Sequence, residues 1–414
     1  MNSKAYKWEL VGLLWVAFFL NQADRQIFNV VLSLIKTDLQ FTDAQLGLIS
    51  SVLVWVYGLL VPVAGFLGDL VERKKIIVYS LVFWSLATLL TGFGSTLLYF
   101  ILIRGLATGG GEAFYAPTAN ALISEHHDKS RSFALSLHQT AVYVGIILSG
   151  FLAGYVGEHY GWRAAFYLFG GFGLIIGIIM QLRLRSSNTR PATVTWSEYK
   201  SLLIRTFRYL SRKPTTLLHS LAFACMVFVN VGYLTWMPTF LIENFGLSLS
   251  EAGFSSMFYH HAAAFFGVLA GGRLADKLAS VKPAYRVWLQ AGAMLCAAPF
   301  IYGMGAGTDI RIIYLSLALF GFFRGIYDSN IFASLFEVVA PQYRASAGGL
   351  MLMFAFLMGA FAPYILGVLK PSLGLAAGIS GLSVAYLIAV VLLICTAMLY
   401  FHRDQFIHDH KTSP

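Results

Sequence analysis

Asp24 and Arg25 stand side by side in the middle of one long apolar run, and Arg104 and Glu112 stand in the middle of another. A charge at the centre of a membrane-length run costs roughly 3 kcal/mol on insertion scales, so it is kept only where it faces a cavity or a partner. Adjacent helix positions point about 100° apart. Asp24 and Arg25 therefore cannot face the same way. Arg25 is expected to face a substrate, and Asp24 a proton and Arg104; the competing account is a structural ion pair that fixes helix packing. A planar guanidinium holds a carboxylate by two parallel bonds and stays charged at any working pH. A cavity lined by one selects anions. Tyr57 is placed to add a hydroxyl to the same oxygen atoms, and as one of 21 tyrosines it serves packing equally well.

Glu112 is the better candidate for a proton carrier. A low-dielectric site penalises its ionised form, and a proton on Glu112 or Asp24 removes a negative charge that an anionic substrate would meet. Arg104 is about two turns away on the same helix and can pair with either acid. The further candidates for substrate contact are Tyr115 and Asn120 in that run, and His138, Gln139 and Tyr143 in the next. In the second half they are Asn230, Tyr233, His261 and Asn330. Arg324 and Asp328 are four apart and pair along one helix face, which favours a structural ion pair. His260 and His261 have no Cys, Asp or second His at ligand spacing, so a metal site is not expected.

The elements that position these residues follow from composition. Of 414 residues, 58% are hydrophobic and only 12% charged, and mean hydropathy is +0.71. A soluble domain carries about 25% charge. A spanning helix needs roughly 20 apolar residues, so a chain of this length with short loops has room for about twelve. The expected organisation is an all-α membrane protein in four parts. Residues 1–185 form an N-terminal six-helix bundle and 186–213 a basic linker. Residues 214–401 form a C-terminal six-helix bundle and 402–414 a polar tail. Between Arg183 and Lys213, the cations Arg183, Arg185, Arg190, Lys200, Arg205, Arg208, Arg212 and Lys213 are opposed only by Glu198. Such a loop stays in the cytoplasm, and an even number of spans then puts both termini there too. Trp196, Tyr199, Leu203, Phe207 and Leu210 recur at helical spacing inside it. That pattern suits an amphipathic helix on the membrane face or one packed on the bundle ends. The net charge of +10 is concentrated in such loops between spans, which argues against a nucleic-acid patch. Cys225, Cys296 and Cys395 lie in apolar runs and read as buried hydrophobes.

A charged turn, Gly65-Phe66-Leu67-Gly68-Asp69-Leu70-Val71-Glu72-Arg73-Lys74-Lys75, separates two uncharged runs, and a fainter copy follows at Gly271-Gly272-Arg273-Leu274-Ala275-Asp276-Lys277. Leu102-Ile103-Arg104-Gly105 matches Phe322-Phe323-Arg324-Gly325 in the same way. These echoes support an internal duplication. The first turn resembles the signature of the major facilitator superfamily between spans two and three, with Glu72 where a second Gly is usual. The resemblance covers nearly the whole chain. It implies twelve spans in two pseudo-symmetric six-helix bundles, and a latch carried by Asp69 and Arg73, with Asp276 in the copy.

Within that superfamily, Asn21-Gln22-Ala23-Asp24-Arg25, Trp55-Val56-Tyr57 and Arg104…Gly111-Glu112-Ala113 resemble the anion:cation symporters of sugar acids, phosphate and sialic acid. Spinster-like lipid transporters share the Asp-Arg and Gly-Glu-Ala patterns. The interval from Arg104 to Glu112 is eight residues where that group has seven, which predicts a local bulge in the helix. There is no Gly-x-Ser-x-Gly, phosphate-binding loop or zinc helix, so neither an enzyme nor an ATP-driven pump is expected and no cofactor is called for. The expectation is a monomeric secondary transporter of the inner membrane that carries a small organic anion with protons. The alternatives are a spinster-like lipid transporter and a non-transporting sensor of the same fold.

Overall fold

An apolar run in hydrocarbon must satisfy its own backbone, and the helix is the one local way to do so. The structure, a computed structural model, describes residues 3–127, 130–185 and 195–406, and they are helical almost throughout, with no strand among them. Nine helical stretches among the described residues are long and apolar enough to cross a membrane. The ninth, Pro341–Asp404, reverses at Gly374 (φ 75°) and is two spans. The helices Ser3–Leu39 and Leu249–Ala279 bring the number to twelve. Their hydropathy is diluted by the polar residues at their centres, Asn21 to Asn29 in one and His260-His261 in the other.

The spans are α1 (Ser3–Leu39), α2 (Asp43–Leu70), α3 (Arg73–Thr91), α4 (Leu97–His126), α5 (Arg131–Tyr160) and α6 (Trp162–Arg183). After a linker helix, Trp196–Ser211, come α7 (Pro214–Phe245), α8 (Leu249–Ala279), α9 (Tyr285–Ala306), α10 (Ile310–Val338), α11 (344–373) and α12 (375–404). Their ends are fixed by local chemistry. Thr42 with Gln45 and Ser248 with Glu251 form capping boxes at the starts of α2 and α8. Gly246 closes α7 in the left-handed conformation. Gly161 (φ 83°) makes the single-residue turn between α5 and α6.

The halves meet along two equivalent seams, α2 on α11 and α5 on α8. Exchanging the halves turns one seam into the other, which is the pseudo-twofold relation the sequence echoes imply. Small residues let the backbones touch there. A Cβ on Gly47 would strike the backbone of Pro363, and one on Gly150 would strike that of Gly253. Both contacts lie at the end of the molecule remote from the linker helix. The linker helix is packed on the other end. Tyr199 Oη donates to the Pro62 carbonyl of α2 (2.8 Å), and Lys213 Nζ donates to the Val338 carbonyl of α10 (2.7 Å). Trp196, Ile204 and Phe207 remain exposed.

The expected bulge in α4 is present. Ile101–Thr108 widens into a π-helix, and Thr108 Oγ1 reaches back five residues to the Ile103 carbonyl at 3.1 Å. The wider turns absorb the extra residue between Arg104 and Glu112.

Candidate functional site

Between the two halves lies a cavity of about 320 Å³. One wall comes from α1, α2, α4 and α5, and the other from α7, α8, α10 and α11. Gln22, Arg25, Gln26, Asn29, Ser50, Arg104 and Gln139 supply polar atoms on the first wall; Asn230, Thr235, His261, Arg324 and Asp328 supply them on the second.

On the first wall the four charges form two ion pairs. Arg104 Nη1 lies 3.0 Å from Asp24 Oδ1, and its Nη2 donates to the Asp24 carbonyl at 2.6 Å. Thr88 Oγ1 donates to the second carboxylate oxygen of Asp24 at 2.5 Å. Asp24 is thus enclosed by α3 and α4 and does not reach the cavity. Arg25 points elsewhere, as the helix geometry requires. Its Nε pairs with Glu112 Oε2 at 2.6 Å, and its guanidinium lies 4.0 Å from the centre of the Tyr57 ring. Arg25 lines the cavity with Glu112 behind it. Arg25 Nη2 and Glu112 Oε1 are both buried with no hydrogen-bond partner among the described residues.

On the second wall, Arg324 Nη2 lies 3.3 Å from Asp328 Oδ2 and its Nη1 donates to His260 Nε2 at 2.9 Å. The Arg324–Asp328 pairing follows the four-residue spacing, and both residues also line the cavity. His261 Nδ1 donates to the Met257 carbonyl at 2.8 Å, which leaves Nε2 as an acceptor. Tyr143 crosses from the first half to lie against the His261 ring, with 6.4 Å between ring centres.

Several candidates for substrate contact lie off the cavity wall. Tyr57 covers Arg25 with its ring, so its part is to hold the guanidinium. His138 is one position from Gln139 and therefore turns into the core of the first half, stacked on Phe18 (4.7 Å between rings) with Tyr115 Oη 3.2 Å away. Tyr115 is fully buried and donates to the Leu14 carbonyl. Asn120 is exposed near the linker end of α4. Tyr233 packs inside the second half against His260 and Phe320. Asn330 sits where α10 breaks between Asp328 and Ile331, and accepts from Arg286 Nη1 at 3.0 Å. Of the latch residues, Arg73 pairs with Glu125 and Asp276 with Arg286 (3.3 Å), each within its own half. The Asp69 side chain lies outside the described residues.

The sequence reading missed a cluster at the end remote from the linker. Asp43 at the start of α2 receives Lys36 from α1 (2.8 Å) and Lys370 from α11 (3.0 Å), and Lys370 also reaches Glu243 at the end of α7 (2.6 Å). On the other seam, Ser250 Oγ of α8 donates to Glu158 of α5 at 2.7 Å. These contacts join the halves and close the cavity at that end. A signal was available: Lys370 is the one charge between Arg344 and Arg403.

Residues 14–363 match the model of the Major Facilitator Superfamily. The chain belongs to that superfamily. Its members are transporters, not enzymes, and the twelve-helix fold and central cavity are those of a multi-pass membrane transporter. Among curated relatives, protein spinster homolog 1 of Xenopus tropicalis is 29% identical over 87% of this chain and 72% of its own length. An MFS-type efflux pump of Mycolicibacterium smegmatis is 27% identical, with coverage of 92% and 89%. The probable galactarate/D-glucarate transporter of Bacillus subtilis is 24% identical, with coverage of 89% and 86%. Among solved structures, a bacterial homolog of the human lysosomal transporter spinster, inward-facing and unoccupied, superposes with a TM-score of 0.85 at 21% identity over 97% of this chain and 99% of that one.

Proposed function

We propose that this superfamily member moves a small organic anion, of the sugar-acid class, coupled to protons, by alternating access. One observation carries the reading: Arg25 lines the cavity while its guanidinium is held by Glu112 and Tyr57 and keeps one nitrogen without a hydrogen-bond partner among the described residues. A carboxylate that binds Arg25 competes with Glu112. Protonation of Glu112 removes that competitor and the charge that would repel the substrate. Proton and anion therefore enter together, and their departure restores the ion pair. Gln22, Gln139, Asn230 and His261 surround the same space with donors and acceptors suited to hydroxyl groups.

A volume of about 320 Å³ is at the small end of ligand sites, which run from about 300 to 1,000 Å³. That favours a sugar acid over a lipid with a long chain. The second reading, lipid transport, draws support from the similarity to spinster homolog 1 along most of this chain. The similarity to a galactarate/D-glucarate transporter supports the first.

The distribution of basic residues supports an orientation in a cell membrane. Among the described residues, the cations at the end remote from the linker are Lys36, Arg163, Arg311 and Lys370, and apart from buried Arg25, Arg104 and Arg324 the other described cations lie at the linker end. By the positive-inside rule the linker end faces the cytoplasm. Contacts between the halves at the other end then make this an inward-facing arrangement of one monomer. A thermal-shift screen tests the substrate class, because a ligand that binds the folded state raises the unfolding temperature. Hexuronates or aldarates should stabilise the wild type and leave Arg25→Lys unmoved. Stabilisation by lysolipids alone would overturn the sugar-acid reading in favour of lipid transport.

A further inference from the structure

A second concavity, of about 520 Å³, lies on the outer face of the C-terminal half between α8, α9 and α10. Its α9 side is a stripe of Tyr285, Trp288, Gly292 and Cys296 at helical spacing. Leu278 and Phe323 close it from α8 and α10. It shares no residue with the central cavity: α10 presents Arg324 to the cavity and Phe323 and Ile326 to this groove. From Tyr285 to Cys296 the stripe rises about 16 Å, roughly half the hydrocarbon core and so one leaflet. A Cβ at Gly292 would have no atom within 4 Å, so the groove is open along its floor.

The mouth of the groove, at the linker end, is cationic. Arg273, Lys277 and Lys282 are exposed and make no ion pair among the described residues. The neighbouring acid, Asp276, is taken by Arg286. Arg273 and Lys277 are four apart on α8, beside the groove residues Leu274 and Leu278.

We propose that this groove binds an anionic glycerophospholipid of the linker-side leaflet, one acyl chain lying along α9 and the phosphate held by Arg273, Lys277 and Lys282. An acyl chain matches the apolar floor and its one-leaflet length. A phosphate matches three cations that pair with no acid among the described residues. A soluble anion fits the mouth but leaves the groove unexplained.

The test uses the full chain in nanodiscs of phosphatidylglycerol or of phosphatidylcholine with the same chains, followed by native mass spectrometry of the released protein. The wild type should retain phosphatidylglycerol at least about tenfold more than phosphatidylcholine. Lys277→Gln with Lys282→Gln should lose that preference. Gly292→Leu fills the floor without striking the fold, and should lose retention of both lipids while keeping the wild-type unfolding temperature. Equal retention of the two lipids by the wild type, or unchanged phosphatidylglycerol retention by Gly292→Leu, would overturn the assignment.

Discussion

Arg25 and Arg104 are both buried guanidiniums beside an acid, and their surroundings assign them different work. Arg104 gives hydrogen bonds to both the side chain and the backbone of Asp24, and Thr88 takes the remaining carboxylate oxygen. That cluster is satisfied and fixes α1 against α3 and α4. Removing one partner leaves a buried charge uncompensated. Arg104→Ala should therefore lower stability by about 3 to 5 kcal/mol, read as a loss of folded protein in thermal unfolding. Arg25→Lys keeps a charge beside Glu112 but gives up the planar fork. It should abolish anion uptake in proteoliposomes while leaving unfolding nearly unchanged; near-wild-type uptake would remove Arg25 from the site. The charged residues were legible in the sequence because charge is rare in these runs. Their partners were not. Spacing shows that Asp24 and Arg25 diverge, but only the fold shows that Glu112 is the acid that Arg25 meets.

At the scale of elements, the π-helical turns of α4 set the facing of Glu112. The eight-residue interval from Arg104 announced an irregularity, and its consequence needed the structure: the extra residue is absorbed before Gly109, so Glu112 arrives behind Arg25. Deleting Gly110, which lies beyond the π-helical turns, removes a residue from regular helix and should turn Glu112 by about 100°. Transport should then fall to background although the protein still inserts and folds, as judged by size-exclusion profile and uptake together. His138 and Tyr115 lie off the cavity wall for a related reason. A polar side chain in a span faces either the cavity or a buried partner, and a one-residue change of facing decides between them.

At the scale of the whole molecule, the duplicated architecture was legible from the repeated charged turn and the paired Arg-Gly motifs, because the echoes recur at matching places in two halves. The closing contacts were not, since Asp43, Lys370 and Glu243 are far apart in the chain, and the isolated charge of Lys370 does not by itself name its partners. Their convergence makes Asp43 a tie between the halves. Asp43→Asn should shift the distance between spin labels at Thr37 and Ser372 toward longer values, measured by pulsed electron resonance. An unchanged distribution would show that the glycine seams hold that end by themselves.

The central claim is the exchange of partners at Arg25, with Glu112 holding the proton while the anion is bound. The most direct measurement compares two fluxes of Glu112→Gln in proteoliposomes: uphill accumulation of a sugar acid driven by a pH gradient, and counterflow exchange without one. The glutamine keeps the volume and an acceptor for Arg25 but cannot carry a proton, so uphill accumulation should vanish while exchange persists. Uphill accumulation at the wild-type rate would contradict the account and move the proton away from Glu112.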